Sequence, residues 1–245
     1  MSKKIITKIQ RAINDFKMIE ENDKICVGIS GGKDSITLAY TLKQLSKFYP
    51  IKFEMIGVHL EMGFPNMDFS EIRSFFVKEE IEFHEKPTKV YEILKKNLNS
   101  DGSLKCSICS RFKKALVIEA AKEYGCNKVA FAHHGDDAIE TLWLNAVYGG
   151  KLATFRPKMY MSKSDIDFIR PLIYLRETEI ESYVSQNSLP VVISTCPNDK
   201  HTQREAIKQL LEKIYEEYPA AYENFLIMLG NEKQLDLWRL PDQES

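Results

Sequence analysis

Apolar positions along this chain switch between two periods, and the alternation predicts its architecture. Ile5, Ile6, Ile9, Ile13 and Phe16 recur at helical spacing within residues 3–20, with lysines opposite, so an amphipathic helix is expected there. Short apolar runs then read as strands at 25–30, 53–60 ("FEMIGVHL"), 81–87 and 128–134. Between and after them, helical patterns cover 34–48, 68–80, 90–97, a stretch ending near Tyr124, and 136–147. Strand and helix in turn predict an α/β fold with a doubly wound parallel sheet. Residues 151–170 read as a hairpin or irregular insertion, and "DFIRPLIYL" as a return to the sheet. Helical patterns resume at 177–186 and 202–228. The expected division is an N-terminal helix over 1–20, a main domain over 21–190, and a helical extension over 191–245.

Composition narrows the class. The 245 residues are 44% hydrophobic and 28% charged, which suits a globular protein with a sizeable core. No apolar run could span a bilayer, and Met1-Ser-Lys-Lys is not followed by a signal-like segment, so no membrane partner and a cytoplasmic location are expected. Five cysteines without a secretion signal argue against a disulfide framework. With a net charge of −1, any nucleic-acid surface must be local. Lys151, Arg156, Lys158, Lys163 and Arg170 form one such basic stretch, and Lys105, Arg111, Lys113 and Lys114 another.

The first strand runs straight into Ser30-Gly31-Gly32-Lys33-Asp34-Ser35 and then into a helix. Two glycines there let backbone N–H groups approach an anion at a helix N-terminus, where the dipole favours negative charge. Ser30 and Ser35 add hydroxyl donors, and Lys33 a point charge. Asp34 would repel phosphates unless Mg²⁺ bridges them. The loop is neither a Walker A sequence nor a dinucleotide fingerprint. It resembles the PP-loop of the N-type ATP pyrophosphatases, which implies an adenine nucleotide alpha hydrolase-like fold and cleavage of ATP to AMP and pyrophosphate. "AHHGDDAIETLWLN" follows the fourth strand, at the same edge of such a sheet. His133, His134, Gly135, Asp136 and Asp137 are candidates there for ATP contact, Mg²⁺ ligation or proton handling, with Asp137 as a catalytic candidate. The resemblance also implies that adenine packs beside Val58, His59 and Leu60.

Cys106 and Cys109 form a Cys-x-x-Cys at a helix start, a position that lowers thiol pKa. Cys196 stands apart, while Cys26 and Cys126 fit a core role. Together with "HHGDDAIETLWLNAVYGGKLATFRPKMY", "DFIRPLIYLRETEI" and "TQREAIKQLLEKIYEEYP", the trio is similar to the tRNA two-thiocytidine synthetases of the TtcA type, over about residues 20–230. That resemblance implies ATP-dependent adenylation of a tRNA cytidine, at anticodon-loop position 32, and sulfur insertion at C2. It also implies a 4Fe-4S cluster on Cys106, Cys109 and Cys196, with Cys109 serving catalysis through it. Its partners would be tRNA and a sulfur donor such as a cysteine desulfurase or sulfide, with a homodimer as one allowed assembly. Family members often carry a second Cys-x-x-Cys at the third ligand, which Cys196 lacks. His201 could therefore complete a zinc site, or Cys109 or Cys196 could carry a persulfide. Other PP-loop enzymes (a tRNA two-thiouridine or tRNA-lysidine synthetase) and a non-catalytic nucleotide-binding module are the rival readings.

Overall fold

The computed structural model describes residues 2–64, 67–99, 102–193, 195–196 and 203–231. Helix α1 (Ser2–Asp15) leads into β1 (Asp23–Gly28), α2 (Lys33–Ser46), β2 (Phe53–Glu61), α3 (Ser70–Lys78) and β3 (Glu82–Pro87). Helices α4 (Val90–Lys95) and α5 (Cys106–Glu123) precede β4 (Lys128–Ala130) and α6 (Gly135–Gly149). Then come β5 (Lys158–Met161), β6 (Ile166–Ile169), α7 (Glu177–Asn187), α8 (Gln203–Glu217) and α9 (Ala221–Leu229). The strands form one sheet in the order β3-β2-β1-β4-β6-β5, parallel except for the β5–β6 hairpin at one edge.

Both faces of a parallel sheet need covering, and the alternation of side chains assigns the covers. On one face Cys26, Ile56, Val58 and Val129 pack against Val117, Ala120 and Ala121 of α5. On the other, α2, α3 and α7 meet through Tyr40, whose ring lies 5.6 Å from Phe75 and 6.3 Å from Tyr183. Leu38, Leu42 and Leu45 of α2 are fully buried, so truncating Leu42 to Ala would cost about 2–5 kcal/mol. Cys26 and Cys126 are both buried, as expected.

Two elements depart from the sequence expectation. Strand β4 stops at Ala130 instead of continuing to His134. The chain leaves the ladder after Phe131 N–H donates to Ile169 O (3.0 Å), and the His134 N–H donates to the Asp137 carboxylate (2.9 Å). The pattern at 202–228 is two helices, because Pro219 has no N–H to continue the first. His201 and Thr202 lie outside the described residues.

The chain divides into two compact units, Met1–Ala138 with Phe155–Thr202, and Ile139–Thr154 with Gln203–Ser245. The second holds its own core of Ile139, Ile207, Leu211 and Tyr222, and Arg204 there donates to the buried Glu140 (2.9 Å). Among the described residues no helix is long and apolar enough to cross a membrane.

Candidate active site

The loop between β1 and α2 is held by its own serines. Ser35 Oγ accepts from the Ser30 N–H (3.2 Å) and donates to Gly32 O (2.9 Å), while Ser30 Oγ accepts from the Gly32 N–H (3.3 Å). Gly31 has φ +87°, and a Cβ there would come within 2.8 Å of the Phe69 ring, so glycine is required on both counts. The first turn of α2 has no side-chain cap, which leaves its N–H groups to an anion.

Charged side chains from three elements converge beside this loop. Lys33 Nζ donates to Glu177 Oε1 of α7 (2.7 Å) and lies 3.5 Å from Asp34 Oδ1. Asp136 accepts the Glu177 N–H (2.8 Å), tying the starts of α6 and α7 together. His134 is buried, with Nδ1 3.4 Å from Asp136 and Nε2 3.5 Å from Asp137. Burial alone would lower its pKa, but Asp136, Asp137 and Asp34 outweigh that and push it up to about 9. His134 is therefore a cation at neutral pH. Lys33 is likewise held charged, its raised pKa reflecting Glu177 and Asp34 against the opposing effect of burial. Burial raises the Asp34 pKa, Lys33 and His134 pull it down, and Asp137 and Glu177 push it up.

Two cations thus face four carboxylates, and among the described residues the buried Asp34 Oδ1 accepts no hydrogen bond. Among the described residues no three His, Cys, Asp or Glu side chains form a ready metal cage. A buried carboxylate oxygen with no hydrogen-bond donor among the described residues, beside a phosphate loop, nonetheless fits Mg²⁺, which commonly takes one or two carboxylates and fills its shell from phosphates and water.

The end of β2 adjoins the loop. Val58 is a core residue whose carbonyl accepts the Ile29 N–H (2.8 Å). His59 donates from Nδ1 to Ile29 O (2.8 Å) and stacks on Phe69 at 3.8 Å, and burial lowers its pKa, so the ring is neutral with Nε2 as acceptor. Leu60 is half-buried and packs against the cluster of Met62, Val90, Leu94 and Leu104. Cys109 packs against that same cluster.

Cys109 does not follow the expectation from helix position alone. Burial raises the Cys109 pKa, Lys113 pulls it down, and Cys196 and Cys106 raise it further. Desolvation and the neighbouring thiols therefore outweigh the Lys113 cation. Cys196 and Cys106 both act electrostatically on Cys109, but among the described residues the three thiols are not gathered into a ready metal cage. By its chemistry alone, a three-thiol donor set suits an iron–sulfur cluster. The segment before Cys196 is anchored on the loop, where the Val192 N–H donates to Gly31 O (2.9 Å). His133 and Gly135 flank His134, with the His133 ring 5.0 Å from Phe155.

Sequence reasoning missed Glu177, Phe69 and Val192. Glu177 alone carried a signal, as a first-turn acid on a helix following a strand of the same parallel sheet. In the basic stretch, Lys158 is tied to Lys17 O (2.7 Å) and Arg170 is buried, so neither is a free surface cation.

Comparison with known proteins gives this site its context. The PP-loop domain family matches residues 1–214. A tRNA-cytidine(32) 2-sulfurtransferase of Geobacter sulfurreducens is 37% identical over 98% of this chain and 96% of its own length. One from Alcanivorax borkumensis is 35% identical over 100% of this chain and 87% of its own. The chain belongs to the tRNA-cytidine(32) 2-sulfurtransferase family of PP-loop proteins. Within the solved structures, the U34-tRNA thiolase NcsA of Methanococcus maripaludis, described with its [4Fe-4S] cluster, shares the fold. Its TM-score is 0.75 at 21% identity, covering 96% of this chain and 79% of that one. For this family member, the loop, the α6 start and the cysteines all fall within the length shared with the curated relatives.

Proposed function

We propose that the protein is an ATP-dependent tRNA sulfurtransferase that converts cytidine 32 to 2-thiocytidine, releasing AMP and pyrophosphate. The observation that carries this reading is the shared packing of Leu60 and Cys109, which joins the nucleotide loop's neighbouring strand to the cysteine helix. Both half-reactions can then proceed in one cleft of one unit.

In the first step the cytosine O2 attacks the α phosphate and pyrophosphate leaves. Backbone N–H groups of Gly31 and Gly32, the Ser30 hydroxyl and Lys33 would stabilise the charge that develops on the leaving group. Lys33 must exchange its Glu177 partner for a phosphate, so Glu177 holds the ammonium charged and extended until ATP arrives. Asp34 and Asp137 would hold Mg²⁺, which offsets phosphate charge. His134, cationic and fixed by two aspartates, keeps Asp137 oriented. Gly135, His133, His59 and Leu60 would border the nucleotide. In the second step sulfur replaces the adenylate at C2, and AMP departs with the original oxygen. A 4Fe-4S cluster on Cys106, Cys109 and Cys196 would supply an open coordination position from which sulfur is presented. Cys109, half-buried as Cys196 is, would hold the cluster from the side that packs on the same apolar residues as Leu60.

Free sulfide would supply the sulfur directly, and a cysteine desulfurase would supply it as a persulfide together with a two-electron thiol reductant, in the cytoplasm. The test is incubation of anaerobically prepared protein with unmodified tRNA, ATP, Mg²⁺ and sulfide, followed by nucleoside mass spectrometry. The reading predicts 2-thiocytidine in step with AMP. AMP without any thiolated nucleoside, or stoichiometric zinc with no iron in the protein, contradicts it.

A further inference from the structure

Arg170 is unusual in its surroundings. It directly follows β6, opposite Phe131 at the end of β4, on the sheet edge that carries the phosphate loop. Its side chain is only 7% exposed in the whole residue, yet among the described residues no carboxylate pairs with it. Nη1 donates to Arg156 O (2.6 Å), and Nε finds no acceptor. The guanidinium instead lies 4.8 Å from the Phe155 ring centre and 5.9 Å from that of Phe131. Burial draws its pKa down to about 10, with no neighbouring charge to offset it.

A buried charge without a counterion is costly, and cation–π contacts recover only part of the lost hydration. An arginine so placed, at an edge built to bind phosphates, is a site waiting for an anion. The rings beside it specify what accompanies that anion. Phe155, Phe131 and His133 are half-buried, so each keeps surface accessible. The His133 ring sits 5.0 Å from Phe155 and joins this cluster to the segment bearing Asp136 and Asp137. Arg170 lies two strands from β1, about 10 Å at ordinary strand spacing. That separation leaves room for a second anion beside the one at the loop.

We propose that Arg170 and Phe155 form a subsite for the RNA substrate, with Arg170 taking a backbone phosphate near the target cytidine and Phe155 taking a base by stacking. The proposal rests on the sulfurtransferase reading and adds to it the protein groups that seat the RNA. Single-stranded RNA is commonly held this way, through guanidinium–phosphate contacts and bases stacked on aromatic rings. The exposed Arg156 beside the pair extends the positive potential outward.

The experiment compares wild type, Arg170→Gln and Phe155→Leu in binding an unmodified tRNA transcript with cytidine at position 32, across a salt series, alongside ATP·Mg²⁺ titrations. Glutamine can still donate to the Arg156 carbonyl, so the fold is expected to persist, checked by thermal unfolding. Arg170→Gln should weaken tRNA binding about 10-fold and flatten the dependence of log affinity on log salt by about 0.7–0.9. Phe155→Leu should weaken it by roughly 5-fold or more with the slope unchanged. Both should bind ATP as wild type does. Wild-type tRNA affinity in both variants overturns the subsite. So does a loss of ATP affinity in place of tRNA affinity, which would assign the anion to ATP. Should Arg170→Gln fail to fold, Phe155→Leu decides, and wild-type affinity in it overturns the proposal. A wild-type protein that makes no thiolated nucleoside defeats the sulfurtransferase reading instead, a separate readout from these binding curves.

Discussion

The two ends of the central strands carry charge clusters of opposite design. At the N-terminal ends, Lys128 lies 3.3 Å from Asp23 and 3.2 Å from Asp167, and Asn127 donates to Asp23 (2.7 Å). Lys158 adds a second cation 3.5 Å from Asp167. Two ammonium groups meet Asp23 and Asp167, with the exposed Glu20 also 3.5 Å from Lys158, and Lys128 and Asp23 are almost wholly buried. At the C-terminal ends, Lys33 and His134 face Asp34, Asp136, Asp137 and Glu177, and among the described residues Asp34 Oδ1 accepts no hydrogen bond. Buried ion pairs seldom add net stability, so a near-balanced cluster fits a role in strand placement, and a cluster with a larger acid excess fits the binding of a ligand. Charge balance, more than burial, separates the structural end from the functional end.

Exchanging the two lysines' fates is the strongest way to break that contrast. Lys33→Ala should cut AMP release by about 100-fold or more while leaving the unfolding midpoint nearly unchanged. Lys128→Met should do the reverse, losing about 3–5 kcal/mol of stability by stranding Asp23, while the folded fraction keeps wild-type turnover. Equal stability losses in both variants would erase the distinction.

The histidine at the functional end gives a pH signature. The His134 pKa rises from 6.5 to about 9 on folding, where Asp136, Asp137 and Asp34 outweigh the opposing effect of burial. Its contribution is therefore fully present below pH 6.5 and lost as pH climbs through 9. In metal-free protein without ATP, wild-type stability should fall by up to about 3 kcal/mol relative to His134→Gln across that window. Parallel pH profiles for the two proteins would show that the imidazole is not ion-paired.

The smallest effect belongs to the exposed part of the structural end. Lys158 is partly solvated, so Lys158→Ala should change stability by about 0–1 kcal/mol, and less at high salt. A loss as large as that of Lys128→Met would mean the whole cluster acts as one buried network.

Much of this contrast can be read along the chain, but not all. The loop at 30–35 and the segment at 133–137 announce themselves because their chemistry is local, with glycines and acids at a strand–helix junction. The strand and helix order follows from hydrophobic period alone. Glu177 and Phe69 are hidden because they act across 144 residues in one case and through a ring stack in the other. The pairing of Lys128 with Asp23 and Asp167 depends on β4 lying between β1 and β6, a strand order the sequence period does not encode. The early end of β4 was invisible for a related reason. "KVAFAHH" reads as a continuous strand until the Asp137 carboxylate claims the His134 N–H.

On the proposed reading, the acid excess at the C-terminal strand ends holds Mg²⁺ with ATP. Calorimetric titration of ATP into wild type and Asp34→Asn, with and without Mg²⁺, tests it most directly. Wild-type affinity should rise at least about 10-fold with Mg²⁺. Asp34→Asn should bind Mg²⁺-free ATP as well as wild type or better, with most of the Mg²⁺ dependence gone. An Asp34→Asn protein that keeps the full Mg²⁺ dependence of wild type would contradict the account.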